Sequence, residues 1–294
     1  LYTQPISPGL VAFAGKKNVI GAADQDIFAG GDGTDQFMNQ ALIANPAYLL
    51  ALPYSTFTAG AVMPHDWGAV SAFVFDATDR THKGLDLDGL FSEGVIVGSE
   101  VKVKTRFFGK PGEHHLGGIW KHLDLYDLRA PAPAPGYPYP PVLPAAATIR
   151  DSWTIYYGFD QYVQVFQGKR NTPGPVKPPR GWGFFGRASI SDANPTPIRY
   201  FLSGGIGGDS PFGDNRGDAF GLGWFYVDAS NEFGPVAQAT FGPQDGAGVE
   251  LFYRFQCTPW LAITPDVQYV KPGLGGLTSG DNAFIYGVRV NIRL

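Results

Sequence analysis

Cysteine is nearly absent from this sequence. Cys257 is the only one in 294 residues, so no intrachain disulfide can form, and the redox compartment stays open. Charge is scarce as well. Asp, Glu, Lys and Arg make up 16 % of the chain, against about 25 % in average proteins. The net charge of -4 provides no basic surface, which argues against a nucleic-acid partner. No apolar run approaches the ~18 residues of a transmembrane helix. There is neither an initiating Met nor a signal peptide. The opening Leu1-Tyr2-Thr3 reads as the interior of a longer protein, which predicts an N-terminal truncation.

What is present is glycine (40 residues), proline (25) and aromatics (14 %). Low charge with many aromatics argues against disorder, and short apolar runs between glycines suggest an all-β chain. The dominant pattern has period two, the signature of a strand with unlike faces. In the closing stretch FIYGVRVNIRL, Phe284, Tyr286, Val288, Val290, Ile292 and Leu294 alternate with Gly287, Arg289, Asn291 and Arg293. Val249, Leu251, Tyr253 and Phe255 oppose Glu250, Arg254 and Gln256. Leu261, Ile263, Val267 and Tyr269 oppose Thr264, Asp266 and Gln268. Trp153, Ile155, Tyr157, Phe159, Val163 and Val165 oppose Thr154, Asp160 and Gln164. Val95, Val97, Val101, Val103 and Phe107 oppose Glu100, Lys102, Lys104 and Arg106.

About twelve such strands are predicted, near 8–16, 54–64, 68–77, 93–108, 114–127, 152–167, 181–192, 198–208, 218–230, 247–257, 260–271 and 282–294. They exceed the usual ~5–6 residues of a soluble strand and reach the ~9–11 that a tilted strand needs to cross a bilayer. No amphipathic helix of normal length is evident; 35–43 is suited to a short one. Alternation alone leaves a membrane barrel and a soluble β-sandwich both open. Two features favour the barrel: an apolar face rich in Trp, Tyr and Phe, and repeated charges on the other face, which are costly in a packed core and cheap beside water. Counting back from the C-terminus puts the turns at 65–66, 109–113 and 258–259 on the periplasmic side. The same count puts the long segments 17–53, 78–92 and 128–151 outside. The long join 168–180 and the short join 193–197 break that rule.

The stretches PPRGWGFFGRASISDANPTPIRYFLSGGIGG (178–208), NRGDAFGLGWFYVD (215–228) and VELFYRFQCTPWLAITPDVQYVKPG (249–273) resemble the carbohydrate-selective porin (OprB) family. LVAFAGKKN (10–18) and Phe37-Met38-Asn39 fit it more loosely. The resemblance covers most of the chain. It implies one porin β-barrel domain over 1–294, transmembrane and antiparallel. About sixteen strands are expected in a full-length protein. It further implies a bacterial outer-membrane location among lipid and lipopolysaccharide, and passive diffusion of sugars, often glucose, through a narrowed pore. Homotrimers are common in the family, and no catalysis or cofactor is implied. The departures are Leu294, where members commonly end on Phe, and an apparent Pro-rich insertion at 130–147.

A sugar-selective constriction needs hydrogen-bonding groups and an apolar platform. The candidates for sugar contact are Arg106, Arg187, Arg199, Arg254, Arg289, Glu100, Glu250, Asp266, Lys102 and Lys104. Each also has a plainer role open, an ion pair bracing the wall. Segment 17–53 is the candidate constriction element, with Lys16, Asn18, Asp24, Asp26, Phe28, Asp35, Phe37 and Asn39 as its working residues. No metal is expected. The Asp24–Asp35 run lacks the spacing and terminal Glu of a calcium loop, and His114-His115 lacks a third ligand. Gly204–Gly208 has no following helix or Lys to make a phosphate loop. A general or ion-selective porin and a soluble carbohydrate-binding module remain the alternatives.

Overall fold

The computed structural model describes residues 1–18, 26–30, 33–130, 148–166, 178–212, 217–235, 238, 244–273 and 282–293. Among these, thirteen strands form one antiparallel sheet in sequential order, each paired with its chain neighbour. They are β1 (Tyr2–Ser7), β2 (Leu10–Asn18), β3 (Ser55–His65), β4 (Gly68–Asp76), β5 (Gly94–Phe107), β6 (Lys110–Tyr126) and β7 (Thr148–Val165). The series continues with β8 (Gly181–Ser191), β9 (Ile198–Asp209), β10 (Ala219–Ala229), β11 (Gly246–Thr258), β12 (Leu261–Lys271) and β13 (Ala283–Ile292). The sequence pattern predicts about twelve. The addition is β1, whose six residues carry too little alternation to stand out and which forms by pairing Tyr2–Pro5 with β2.

Two short helices interrupt the meander, α1 (Gln40–Ile43) and α2 (Pro46–Ala51). Asn39 and Asn45 cap them, each side chain accepting backbone N–H bonds from the first turn. The α2 start was legible in Asn45-Pro46, an N-cap followed by proline at the first helical position. Among the described residues no helix is long and apolar enough to cross a membrane, a test that does not bear on strands.

Burial is inverted relative to a soluble sheet. Val101, Leu116, Ile155, Leu202, Leu222, Leu251, Val267 and Val288 lie exposed on one face. Thr154, Asp160, Arg187, Ser189, Glu250, Thr264 and Asp266 are buried on the other. A sandwich would bury the apolar face against a second sheet; none exists among the described residues. The outer aromatics lie towards both strand ends. Trp120, Trp153, Tyr200, Tyr269 and Phe284 are near the long-loop end, and Trp67, Phe107, Phe108, Phe255 and Trp260 near the short-turn end. Trp260 and Tyr269 are nine residues apart. At ~3.3 Å per residue and ~45° tilt they stand roughly 21 Å apart across the sheet, close to the ~25 Å apolar band of outer-membrane barrels. Cys257 is exposed on this same face; Leu294, the end of the closing alternation, lies outside the described residues.

The joins alternate between ends as a meander requires. Residues 8–9, 66–67, 108–109 and 259–260 are tight turns at one end. Phe108 and Gly109 both have positive φ, as a two-residue hairpin with the twist of the flanking strands demands. The join 168–180 lies largely outside the described residues, as does 131–147. The short join 192–197 is a shelf under its neighbours: Asn194 accepts from the Leu128 N–H and donates to Asp127, both at 2.8 Å. The Ser230 hydroxyl donates to the Ala193 carbonyl at 2.5 Å, and Phe233 packs on Leu128.

The β4–β5 loop is built around Arg80, which is fully buried. Its Nε donates to Asp76 Oδ2 at 2.5 Å, and its terminal nitrogens donate to the carbonyls of Asp86 and Asp88 at 3.1 Å. Asp76 also accepts the Phe91 N–H. Arg80→Ala leaves Asp76 buried without its cation, a loss of about 3–5 kcal/mol for the loop. We expect faster protease cleavage within 78–93, with the strands intact; an unchanged cleavage rate would show that the loop does not depend on Arg80.

Candidate functional site

The described part of the segment between β2 and β3 crosses the polar face of the sheet from β13 to β3, and the wall side chains hold it largely by its backbone. Arg187 on β8 is the main anchor. Its Nε meets Asp26 Oδ2 at 2.5 Å, Nη1 donates to the Leu42 carbonyl at 2.8 Å, and Nη2 donates to the carbonyls of Ala29 and Ile43. The ring of Phe185 lies 5.9 Å from the guanidinium. This planar fork, always charged, suits several fixed oxygens at once. The carboxylate of Asp160 on β7 accepts the N–H groups of Ile27 and Phe28 at 3.0 and 3.3 Å. Glu250 on β11 accepts those of Met38 and Asn39 at 2.6 and 2.8 Å. Arg289 on β13 donates to the carbonyls of Gly33 and Gln36 at 2.5 and 2.8 Å. Asp35 pairs with Arg254 at 3.5 Å and Arg293 at 2.5 Å. Asn39 donates to Gln268, Ser189 to Asn45, and Asn291 to the Thr34 carbonyl.

Aromatic packing completes the attachment. Phe37 sits edge-on between Phe185 at 5.4 Å and Phe252 at 5.0 Å, and Phe28 meets Tyr162 at 4.8 Å. These rings join Leu42, Phe201 and Phe225 in one buried cluster. A second cluster places Tyr48, Ala51 and Leu52 on Phe75, Ile96, Ile119 and Tyr156. Glycines on the wall make the approach possible. A Cβ at Gly207 would stand 2.9 Å from the Phe28 carbonyl, and one at Gly221 would stand 2.7 Å from the Phe37 ring. The Gly-rich stretch 204–208 thus serves as close-packing surface. Gly207→Val should push residues 26–30 towards the lumen and cut sugar flux in a liposome-swelling assay by about half or more. Wild-type flux in a folded Gly207→Val protein would contradict the close fit.

Of the expected sugar contacts, Arg187, Glu250, Arg254, Arg289 and Asp266 are gathered where the segment attaches, with Asp26, Phe28, Asp35, Phe37 and Asn39 facing them. Arg187 and Glu250 have essentially no exposed surface, their polar atoms being taken by the segment. Lys102 belongs to a separate, more open group: it lies 3.3 Å from Glu113 and 4.0 Å from Glu100, which accepts the Tyr156 hydroxyl at 3.0 Å. Lys104 and Arg106 are exposed near the short-turn end. Arg199, at the long-loop end, lies 4.9 Å from the Tyr200 ring. Lys16 and Asn18 sit at the end of β2 rather than in the inserted part, and Lys16 reaches the carbonyls of Lys83 and Gly84. Asp24 lies outside the described residues.

Residues not singled out as site candidates from sequence include Asp160, Ser189, Gln268 and Lys121, whose amino group reaches the Leu50 carbonyl at 3.5 Å. The signal for the attachment was present but unread: Phe185, Phe201, Phe225 and Phe252 interrupt the polar face with aromatics, and glycines stand beside them. Among the described residues no group of three or more His, Cys, Asp or Glu side chains is placed to hold a metal ion.

A sheet with an apolar girdled exterior, a polar interior and a segment folded against that interior defines an outer-membrane porin. The chain belongs to the carbohydrate-selective porin, OprB family, whose model matches residues 18–294. It is a bacterial outer-membrane channel for carbohydrates. In fold it is similar to the high-pH structure of Pseudomonas putida OprB, with a TM-score of 0.74 at 18 % identity over 99 % of this chain and 71 % of that one. The low-pH structure of the same protein aligns with a TM-score of 0.53 at 15 % identity over 99 % and 64 %. No curated protein sequence matches the chain.

Proposed function

We propose that the channel passes monosaccharides such as glucose by passive diffusion and is narrowed by residues 26–30 and 33–52. The wall charges that the segment leaves open, Lys102 with Glu100 and Glu113, then Lys104 and Arg106, face the solute. The observation that carries this reading is the attachment of the segment through Arg187, Asp160, Glu250 and Arg289. These side chains act as positioning residues. A sugar would meet hydroxyl-binding carboxylates and an ammonium beside Tyr156, with contacts weak enough to release it. Swelling of liposomes carrying the protein tests this. Glucose is expected to enter about tenfold faster than amino acids of matched size, and equal rates would remove sugar selectivity. Assembly as a homotrimer among outer-membrane lipid and lipopolysaccharide belongs to the same proposal. Cross-linking in intact membranes should give a three-chain species, and a ladder ending at one chain would withdraw it.

A further inference from the structure

We propose that the contact between Glu250 and Asp266 holds one shared proton and that this proton latches the constriction segment to the wall. Glu250 stands opposite Gln268 and Asp266 opposite Phe252, so the two carboxyls are diagonal neighbours on one buried face of β11 and β12, within hydrogen-bonding reach. Glu250 is spoken for on its other side by the N–H groups of Met38 and Asn39. Asp266 Oδ1 accepts from Gln268 Nε2 at 2.9 Å, and Gln268 Oε1 accepts from Asn39 Nδ2 at 3.1 Å. Asn39 thus closes a ring: its backbone donates to Glu250 and its side chain donates towards Asp266 through Gln268. Every link has a donor hydrogen except the one between the carboxyls. Asp266 Oδ2 is buried with no donor facing it among the described residues. Two ionised carboxylates in a buried contact repel strongly, and a single proton between them supplies the missing hydrogen and removes that repulsion.

Among the described residues, the remaining charges around the ring are Arg289 and Arg254 on the wall, and Asp35 with its partner Arg293. The arginines stay charged at every accessible pH, and Asp35 is ion-paired to two of them. Loss of the shared proton therefore changes the charge at the ring itself. The wall lies behind residues 37–39, so their release lets them move only into the lumen. Arg187 and Arg289 still hold the segment on either side, so the result is a local bulge that narrows the passage. Conductance falls as pH rises.

The inference rests on the segment being the narrowing element, and the test separates the two. Single-channel conductance is measured in planar bilayers from about pH 5 to about pH 10, for wild type and for Asp266→Asn, Glu250→Gln and Arg187→Ala. Wild type should step down by roughly twofold across about two pH units. In Asp266→Asn the new amide can donate a hydrogen to Glu250 while its oxygen still accepts from Gln268, so this variant should stay at the low-pH conductance throughout. Glu250→Gln brings an amide donor against the N–H donors of Met38 and Asn39, so this variant should sit at the high-pH level throughout. A flat wild-type profile, or an Asp266→Asn profile that follows wild type, overturns the latch. If Glu250→Gln fails to assemble, the Asp266→Asn comparison decides alone. Arg187→Ala reports on the other premise: if its conductance equals wild type at every pH, the segment is not the narrowing element.

Discussion

Arg187→Ala should convert the proposed monosaccharide filter into a wide channel without preventing assembly. The side chain makes four hydrogen bonds to the segment and none of the described sheet ladder passes through it. Its removal strands the Asp26 carboxylate in a buried site and leaves the carbonyls of Leu42, Ala29 and Ile43 short of a donor. Breaking one side of a buried charged contact costs about 3–5 kcal/mol. Arg187 is the largest single anchor, and the contacts of Asp160, Glu250 and Arg289 that remain should be too few to hold the segment, so it should detach as a unit and swing towards the long-loop end. The effect differs from the local bulge expected at Gly207 or at the carboxyl pair, where Arg187 persists. In liposome swelling the ratio of disaccharide to monosaccharide entry should rise at least about tenfold, in line with several kcal/mol of lost docking. Heat-modifiable migration on a gel should be retained. An unchanged ratio in an assembled protein would refute the role of Arg187 as anchor.

Leu251→Arg should have the opposite character, abolishing assembly. Leu251 is exposed on the outer face near the middle of β11, between Val249 and Phe255 on the same face. A charge at the bilayer midplane of a barrel costs about 2–4 kcal/mol, and the exposed neighbours there are apolar. One residue away, Glu250 is a buried carboxyl that the wall accepts, because each of its oxygens takes a backbone N–H of the segment. The band that migrates faster before heating should be lost or strongly reduced in Leu251→Arg. A normal folded band would place position 251 away from lipid and shift the register of β11 by one residue, reversing every face assignment on that strand.

Most of the sheet was legible because period two is a local property. Each of β5, β7, β11, β12 and β13 shows its inner and outer set within about ten residues, and antiparallel order follows from short turns such as Pro259-Trp260. What local pattern hides is short or irregular. β1 is too brief to alternate convincingly, and α2 is a six-residue apolar helix whose Asn-Pro start was its only signal. The site was half legible. Parity correctly set Arg187, Glu250, Arg254 and Arg289 on the polar face, yet parity is silent about what lies opposite a face. The partner of Arg187 is Asp26, 161 residues away, and that of Glu250 is the backbone at 38–39, more than 200 residues away.

The sequence by itself therefore determined the strands, their faces and the membrane-facing exterior, since these depend on which neighbours along the chain are apolar. The tertiary structure decided what the interior charges do. Bare on the wall, Arg187 or Glu250 reads as a contact for passing sugar. With the segment in place, each is desolvated: Arg187 is committed to the Asp26 carboxylate and the carbonyls of Ala29, Leu42 and Ile43, and Glu250 to the N–H groups of Met38 and Asn39. That pairing arises from long-range packing of Phe28, Phe37 and Leu42 onto glycines and phenylalanines of β8–β11, and no local periodicity encodes which distant segment will come to rest there.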